Sequence, residues 1–258
     1  MALSLPDISP AGWALLVVAA VAVGFAKTGI SGVGSVAAAL FAIVLPARES
    51  TGALLPLLIA GDVVAIALYG RHTSWGLIRR LFPWVAVGIV AGVGFVSQVG
   101  DSGMRTAIGL LLLGLVAVQL MTQSGRLRAA LGDPGEGPVH TSHRVAAAVV
   151  GVVAGFVTMV ANASGPVMTV YLLLSGLSML AFLGTGAWFF FLVNVFKLPF
   201  SIGLGLVSAD ALLADVLLLP AMAVGALLGA LLIRLIEQQT FERVALALVV
   251  VSAVPLLL

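Results

Sequence analysis

The sequence predicts an all-α membrane protein that crosses the bilayer several times and is built from two repeats. Of its 258 residues, 62% are hydrophobic and 9% are charged, whereas soluble domains have about 25% charged residues. No stretch is polar enough to form a soluble domain. The second observation is an internal duplication. The third is a pair of short apolar runs at the start of each half, which is typical of transporters with broken helices.

The duplication is visible in two pairs of segments. Residues 83–92 match residues 220–229, with the proline and both glycines at one offset of about 137 residues. Residues 24–34 match residues 155–165 at an offset of about 131. We therefore divide the chain into a first transmembrane repeat (1–121), a cytoplasmic linker (122–144) and a second transmembrane repeat (145–258).

Each half contains five apolar runs. The first two runs of each half have about 11 to 16 residues, or roughly 17 to 24 Å as helix, and the hydrocarbon core is about 30 Å thick. We predict that each pair forms a broken, re-entrant hairpin, because irregular backbone at membrane depth is tolerated only inside the protein or along a cavity. Three full spans follow in each half. The runs are 12–26, 35–45, 50–70, 81–98 and 104–121, then 145–160, 166–177, 180–196, 208–233 and 241–258.

The arginines predict the orientation in the membrane. Cytoplasmic loops are rich in Lys and Arg, so the loop over 71–80 and the linker are predicted to be cytoplasmic and the loop between them external. Inverted halves place Arg234 and Arg243 in the cytoplasm as well and Lys197 at the exterior end, whereas parallel halves place both arginines outside. The charge bias favours inverted halves, with both termini extracytoplasmic.

Two breaks rich in small and polar residues separate the first two runs of each half. Glycines there permit backbone conformations that branched residues cannot adopt, and they expose amide N–H groups to a ligand. Each break precedes a new helix, near Ser35 and near Pro166, whose first amides carry partial positive charge. Two such helix starts that meet at the midplane form an anion site, to which Lys27 adds a full charge. The alternative is that the glycines only allow close helix packing and that Lys27 reaches an interface.

Several polar residues interrupt the other apolar runs. Asp62 is costly in hydrocarbon, and we interpret it as a proton-coupling carboxylate or as the partner of Lys27; the alternative is a solvated position near a helix end. We interpret Asp210 and Asp215 as helix N-terminal residues that the helix dipole stabilises. The tryptophans are typical of an interfacial belt, although Trp188 is also a candidate for the site. The candidate substrate-binding residues are Lys27, Thr28, Ser31, Gly32, Gly34, Ser35, Thr158, Asn162, Ser164, Gly165, Trp188, Asn194 and Lys197, with Asp62 as the coupling candidate.

Other classes of function have little support in the sequence. The absence of cysteine excludes disulfides and thiolate metal sites, and the histidines lie in predicted loops without metal-ligand spacing, so no metal or cofactor is expected. The basic residues are dispersed, which argues against nucleic acid. The string from Gly29 to Gly32 resembles the serine motif of rhomboid-type intramembrane proteases, but no later apolar run holds a histidine that could act as its base. We therefore predict that the chain is not an enzyme.

Over nearly its whole length the chain resembles the sulfite exporter TauE/SafE family, a group of small membrane permeases. The resemblance rests on the Gly-rich break of each half, on residues 54–62 (LLPLLIAGD) and most specifically on residues 188–199 (WFFFLVNVFKLP). It implies secondary transport, at the plasma membrane, of small sulfur-containing anions such as sulfite, sulfoacetate or other organosulfonates. An uncoupled anion channel or facilitator is the alternative. The coupling ion, the direction of flow and the oligomeric state, with a homodimer among the alternatives, stay open.

Overall fold

The computed structural model describes residues 8–29, 33–123 and 139–232, and every regular element within these ranges is helical. The elements are α1 (Pro10–Thr28), α2 (Gly34–Val44), α3 (Ala47–Tyr69), a short 3-10 turn (Gly70–His72), α4 (Trp75–Gln98), α5 (Asp101–Gln123), α6 (Val139–Ala161), α7 (Gly165–Leu174), α8 (Met179–Gly203) and α9 (Ala209–Leu232). Within these described ranges, five stretches are long and apolar enough to cross a membrane, namely α1, α3 with its 3-10 turn, α4, α8 and α9. The prediction of an all-α polytopic membrane protein is confirmed.

The first helix of each half is longer than the sequence predicts. α1 has 19 residues and α6 has 23, or about 28 and 34 Å, so the prediction of two short segments is wrong for the first of each pair. The prediction followed apolar side chains, but helical hydrogen bonding continues through polar ends. The hydroxyl of Ser9 accepts a bond from the amide of Gly12 at the start of α1, which runs on through Lys27. The second segments are short, with 11 residues in α2 and 10 in α7.

Glycines of the duplicated segments let helices of the two halves pack closely. α1 packs on α9, and α6 packs on α4. A Cβ on Gly24 would lie 1.9 Å from the carbonyl oxygen of Met222, and a Cβ on Gly155 would lie 2.1 Å from that of Val85. These contacts occupy equivalent positions, since Gly24 matches Gly155 and Met222 matches Val85 in the duplication. Glycines of α9 and α4 make a second pair of equivalent contacts, because Gly225 packs against Val21 of α1 and Gly88 packs against Val152 of α6. The first helix of each half therefore crosses the fourth helix of the other half.

The register of these contacts gives the relative directions of the crossing helices. In α1 and α9 the contacting pairs are Val21 with Gly225 and Thr28 with Gly229, and in α4 and α6 they are Trp84 with Gly151 and Gly92 with Met159. In both cases the residue numbers rise together. α1 therefore runs in the same direction as α9, and α4 in the same direction as α6.

Helix α8 connects these two pairs of helices. α3 and α8 are in contact at two pairs of residues, Tyr69 with Gly184 and Asp62 with Asn194. α4 and α8 are in contact at Trp75 with Trp188 and at Phe82 with Phe196. α1 and α3 are in contact at Val23 with Gly61 and at Thr28 with Tyr69. Between α4 and α8, and between α1 and α3, the residue numbers of the contacting pairs rise together, so these helices run in the same direction. Between α3 and α8 the residue numbers rise on one helix as they fall on the other, so these two helices run in opposite directions. α4 therefore runs opposite to α3 and α1, and α6, which runs with α4, runs opposite to α1.

The start of α9 differs from the sequence prediction. The hydroxyl of Ser208 accepts a hydrogen bond from the amide of Ala211 at 3.1 Å, so Ser208 is the residue that caps the helix. Asp210 lies in the first turn, where the helix dipole favours a carboxylate. Asp215 lies more than one turn further on and is buried, so its assignment as an N-terminal residue is wrong.

Some predicted features lie outside the described residues. α5 extends to Gln123 and α6 begins at Val139, which leaves most of the predicted linker outside them. The last predicted run, 241–258, also lies outside the described residues, together with Arg234 and Arg243.

Candidate functional site

Both breaks contribute to one cavity inside the helical assembly. Lys27, Gly34 and Ser35 line it from the first half. Thr158, Asn162, Ser164 and Gly165 line it from the second half, and Asp62 of α3 and Asn194 of α8 complete the polar lining. Segments about 130 residues apart in sequence therefore face the same space, at the ends of α1 and α6 and the starts of α2 and α7.

The first charged group of the cavity is a buried ion pair. Nζ of Lys27 lies 2.7 Å from Oδ1 of Asp62, and the side chains are 11% and 0% exposed. The side-chain amide of Asn194 donates to the other oxygen of Asp62 at 2.7 Å. Asp62 lies well inside α3, so the alternative of a solvated position near a helix end does not apply. Lys27 also lies over the ring of Phe190, with Nζ 4.7 Å from its centroid, an arrangement that stabilises a cation in a dry site.

The second break is held by Lys197. Its ammonium, which is 1% exposed, donates to the carbonyl and hydroxyl oxygens of Thr158 at 2.9 and 3.4 Å and to Oδ1 of Asn162. A cation at this position satisfies carbonyl groups at the C-terminal end of α6 and interacts favourably with the helix dipole. Asn162 has φ of 51°, a left-handed conformation that asparagine tolerates better than most residues. Its Nδ2 donates to the carbonyl of Thr51 at 2.7 Å, so both ends of its amide are engaged.

The start of α2 offers hydrogen-bond donors to the cavity. α2 begins at Gly34, and the preceding residue, Val33, makes no side-chain capping bond to its free amides. Ser35 is 2% exposed, lines the cavity, and its hydroxyl has no hydrogen-bond partner among the described residues. A buried hydroxyl without a partner is costly. An uncapped helix start and an unsatisfied hydroxyl on the same cavity are suited to an anionic ligand.

Part of the cavity lining is an apolar wall, which was not predicted from the sequence. Phe182, Leu183 and Phe190 of α8 and Leu58 of α3 form part of this wall. One signal was present in the sequence, because Phe190 precedes Asn194 by four residues and therefore lies on the same helix face. The cavity lining thus combines charged and apolar surface.

The charges of the site are not balanced. Lys27 and Lys197 are the only lysines of the chain, and every other cation is an arginine. Lys27 is paired with Asp62, whereas no carboxylate lies within ion-pair distance of Lys197 among the described residues. With all three groups ionised, the cluster carries one net positive charge.

The remaining predicted residues lie elsewhere. The hydroxyl of Thr28 donates to the carbonyls of Gly24 and Ala226 at 3.2 and 2.7 Å, which places it in the contact between α1 and α9. Trp188 packs on Trp75, with ring centroids 5.2 Å apart, and does not line the cavity. Lys197 lies behind the second break rather than on the lining. Ser31 and Gly32 lie outside the described residues.

A helical membrane protein whose two helix breaks enclose a buried polar cavity has the architecture of a transporter. The comparison of sequences agrees, since the chain belongs to the sulfite exporter TauE/SafE family, whose sequence model matches residues 16–256. This is a family of membrane transporters, in agreement with the prediction that the chain is not an enzyme. No curated protein and no solved structure matches the chain.

Proposed function

We propose that this protein is a secondary transporter in the plasma membrane for small sulfur-containing anions such as sulfite, sulfoacetate or other organosulfonates, and that it binds them in the cavity between the two breaks. The observation that carries the proposal is the placement of two lysines and one carboxylate beside this cavity, which leave one positive charge in excess when all three groups are ionised. Lys27 is the cation that reaches the ligand, and Lys197 contributes its charge from behind Asn162. An oxyanion there meets ammonium, hydroxyl and amide donors, which form strong charge-assisted hydrogen bonds.

The two kinds of surface in the cavity match the two parts of an organosulfonate. The sulfonate oxygens accept hydrogen bonds from Lys27 and Ser35, and the hydroxyl of Ser35 lacks a partner among the described residues. The carbon chain lies against Phe182, Leu183 and Phe190. Because apolar side chains exclude water, they also strengthen the electrostatic attraction between the sulfonate and Lys27.

Transport is tested directly with the purified protein in proteoliposomes. We expect saturable uptake of labelled sulfite or sulfoacetate above the level of empty vesicles, with sulfate as the comparison anion. An imposed pH gradient should drive accumulation beyond equilibrium if the carrier is proton-coupled. If the anion only reaches equal concentrations on the two sides of the membrane, whichever ion gradient is imposed, the protein is an uncoupled facilitator. The absence of uptake of every anion would contradict the proposal.

We also propose that the two halves are inverted, an arrangement that many carriers with alternating access share. The opposite directions of α1 and α6, which begin the two halves, support this arrangement. The equivalent contacts that α1 makes with α9 and that α6 makes with α4 also support it.

Single cysteines test the inverted topology, and the natural sequence has none to remove. We expect Gly135→Cys and Gln238→Cys to react with an impermeant reagent only after the cells are permeabilised, because both positions lie near arginines. Ser102→Cys, in the predicted external loop, is the positive control and should react in intact cells. Labelling of position 238 from outside, with position 135 protected, would favour parallel halves instead.

A further inference from the structure

The charges around the cavity limit the charge of the ligand. Lys27, Asp62 and Lys197 together carry one positive charge when all three are ionised, and Lys27, with 11% of its side chain exposed, is the least buried of the three. Net charge in a buried, poorly hydrated site is costly. A ligand with one negative charge makes the cluster and ligand neutral together. A ligand with two negative charges leaves one negative charge in excess.

Other charged groups near α3 are too distant to change this balance. The groups that face Asp62 are Lys27 of α1 and Lys197 of α8, which lies one turn beyond Asn194 on the same helix face. α2 has no charged residue. The remaining titratable residues on elements that pack against α3 are Asp101 and Arg105 in the first turns of α5, Asp210 in the first turn and Asp215 in the second turn of α9, and Arg71 and His72 of the 3-10 turn. In α6 the titratable residues, His140, His143 and Arg144, belong to its first two turns in sequence.

Two contacts show how far Asp101 and Asp215 lie from the cavity along the helix axes. The carboxylate of Asp101 accepts a bond from the amide of Arg48, which precedes Asp62 by 14 positions, or about 21 Å along α3. Asp215 precedes Ala226, the contact of Thr28, by 11 positions, or about 16 Å along α9. The charge at the cavity is therefore set by the two lysines and Asp62.

We infer that the site is balanced for an anion with one negative charge, and that an anion with two negative charges enters together with one proton, which Asp62 takes up. The inference rests on the proposed function and deepens it. Among the described residues, Asp62 is the carboxylate that lines the cavity. An anion bound to Lys27 competes with Asp62 for the same ammonium, so its arrival weakens the interaction that keeps Asp62 ionised. The proton comes from solvent, adds to a carboxylate oxygen of Asp62 and leaves again with the anion.

Calorimetric titration of the full-length protein in detergent counts these protons. Each anion is titrated at neutral pH in two buffers of different ionisation enthalpy, and the difference in heat gives the protons taken up. The probes are methanesulfonate, which has one negative charge, and sulfoacetate, which has two. We expect no proton uptake with methanesulfonate and one proton with sulfoacetate. In Asp62→Asn we expect sulfoacetate to bind without a proton. In Lys197→Met, which removes the excess charge, methanesulfonate should bind with one proton.

The outcomes separate this inference from the proposed function. If neither anion binds, the inference fails, and the proposed function fails with it when the proteoliposomes also take up no anion, sulfite included. If methanesulfonate binds but sulfoacetate does not, the anion site stands and the proton-carrying role of Asp62 is overturned. Proton uptake with methanesulfonate in the natural protein, or sulfoacetate binding with one proton in Asp62→Asn, would also overturn it. Should Asp62→Asn fail to fold, the proton count in Lys197→Met decides.

Discussion

Replacement of Lys27 by methionine should abolish saturable anion uptake and also destabilise the protein. The uptake is lost because Lys27 is the cation on the cavity lining, and truncating a buried charged partner of a ligand costs about 2 to 5 kcal/mol of binding free energy. The stability is lost because Asp62 is fully buried and keeps only Asn194 as a direct partner among the described residues. Removing one member of a buried ion pair costs about 3 to 5 kcal/mol. Uptake into proteoliposomes and thermal unfolding in detergent measure the two effects.

The double variant Lys27→Met with Asp62→Asn separates these effects. It removes both charges of the pair, so we expect the melting temperature to recover most of what Lys27→Met loses, while anion uptake stays absent. Arg105→Met is the matched control, because Arg105 is exposed on α5, and it should change neither quantity. Uptake by Lys27→Met at limiting substrate equal to that of the natural protein would show that Lys27 does not bind the anion. A folded double variant that transports at the natural rate would lead to the same conclusion.

The sequence was sufficient to predict the membrane class and the positions of the two breaks. Both depend on local properties, since the hydrophobic content of a run determines whether it can lie in lipid and a cluster of glycine, serine and asparagine interrupts that run. The duplication then indicated that the breaks belong together, and both of them line the cavity in the structure. Asp62 and Lys27 stood out because a charge among apolar residues is costly and must find a partner.

The lateral arrangement of the helices could not be predicted in the same way. Which helix lies beside which depends on surface shape, so the crossings of α1 with α9 and of α6 with α4 were not evident from glycine positions alone. For the same reason the sequence could not show that Lys197 is buried behind Asn162. The apolar wall formed by Phe182 and Phe190 was missed because aromatic residues of a membrane helix mostly face lipid or other helices.

Replacement of Gly24 or Gly225 by alanine should strongly destabilise the protein, although each change adds a single methyl group. The new Cβ would lie 1.9 Å from the carbonyl oxygen of Met222 in the first case and 2.0 Å from that of Val21 in the second. Both contacts are with backbone, which cannot move aside as a side chain can, so α1 and α9 must separate. Overpacking costs about 1 to 3 kcal/mol and occasionally more, and we expect losses at or above the upper end, measured by thermal unfolding in detergent.

Gly34 is the matched control, because it is a glycine of the same duplicated segment as Gly24 but lines the cavity. Among the described residues, the nearest neighbour of a Cβ on Gly34 would be Ala26, 3.7 Å away, which is an ordinary contact. We expect Gly34→Ala and Gly34→Val to keep the melting temperature near that of the natural protein, while the larger valine reduces anion binding because it occupies ligand volume. Bound substrate raises the melting temperature by mass action, so the shift should shrink in Gly34→Val. If that shift persists unchanged in Gly34→Val, the anion binds elsewhere. If Gly24→Ala melts like the natural protein, the close crossing of α1 and α9 is wrong.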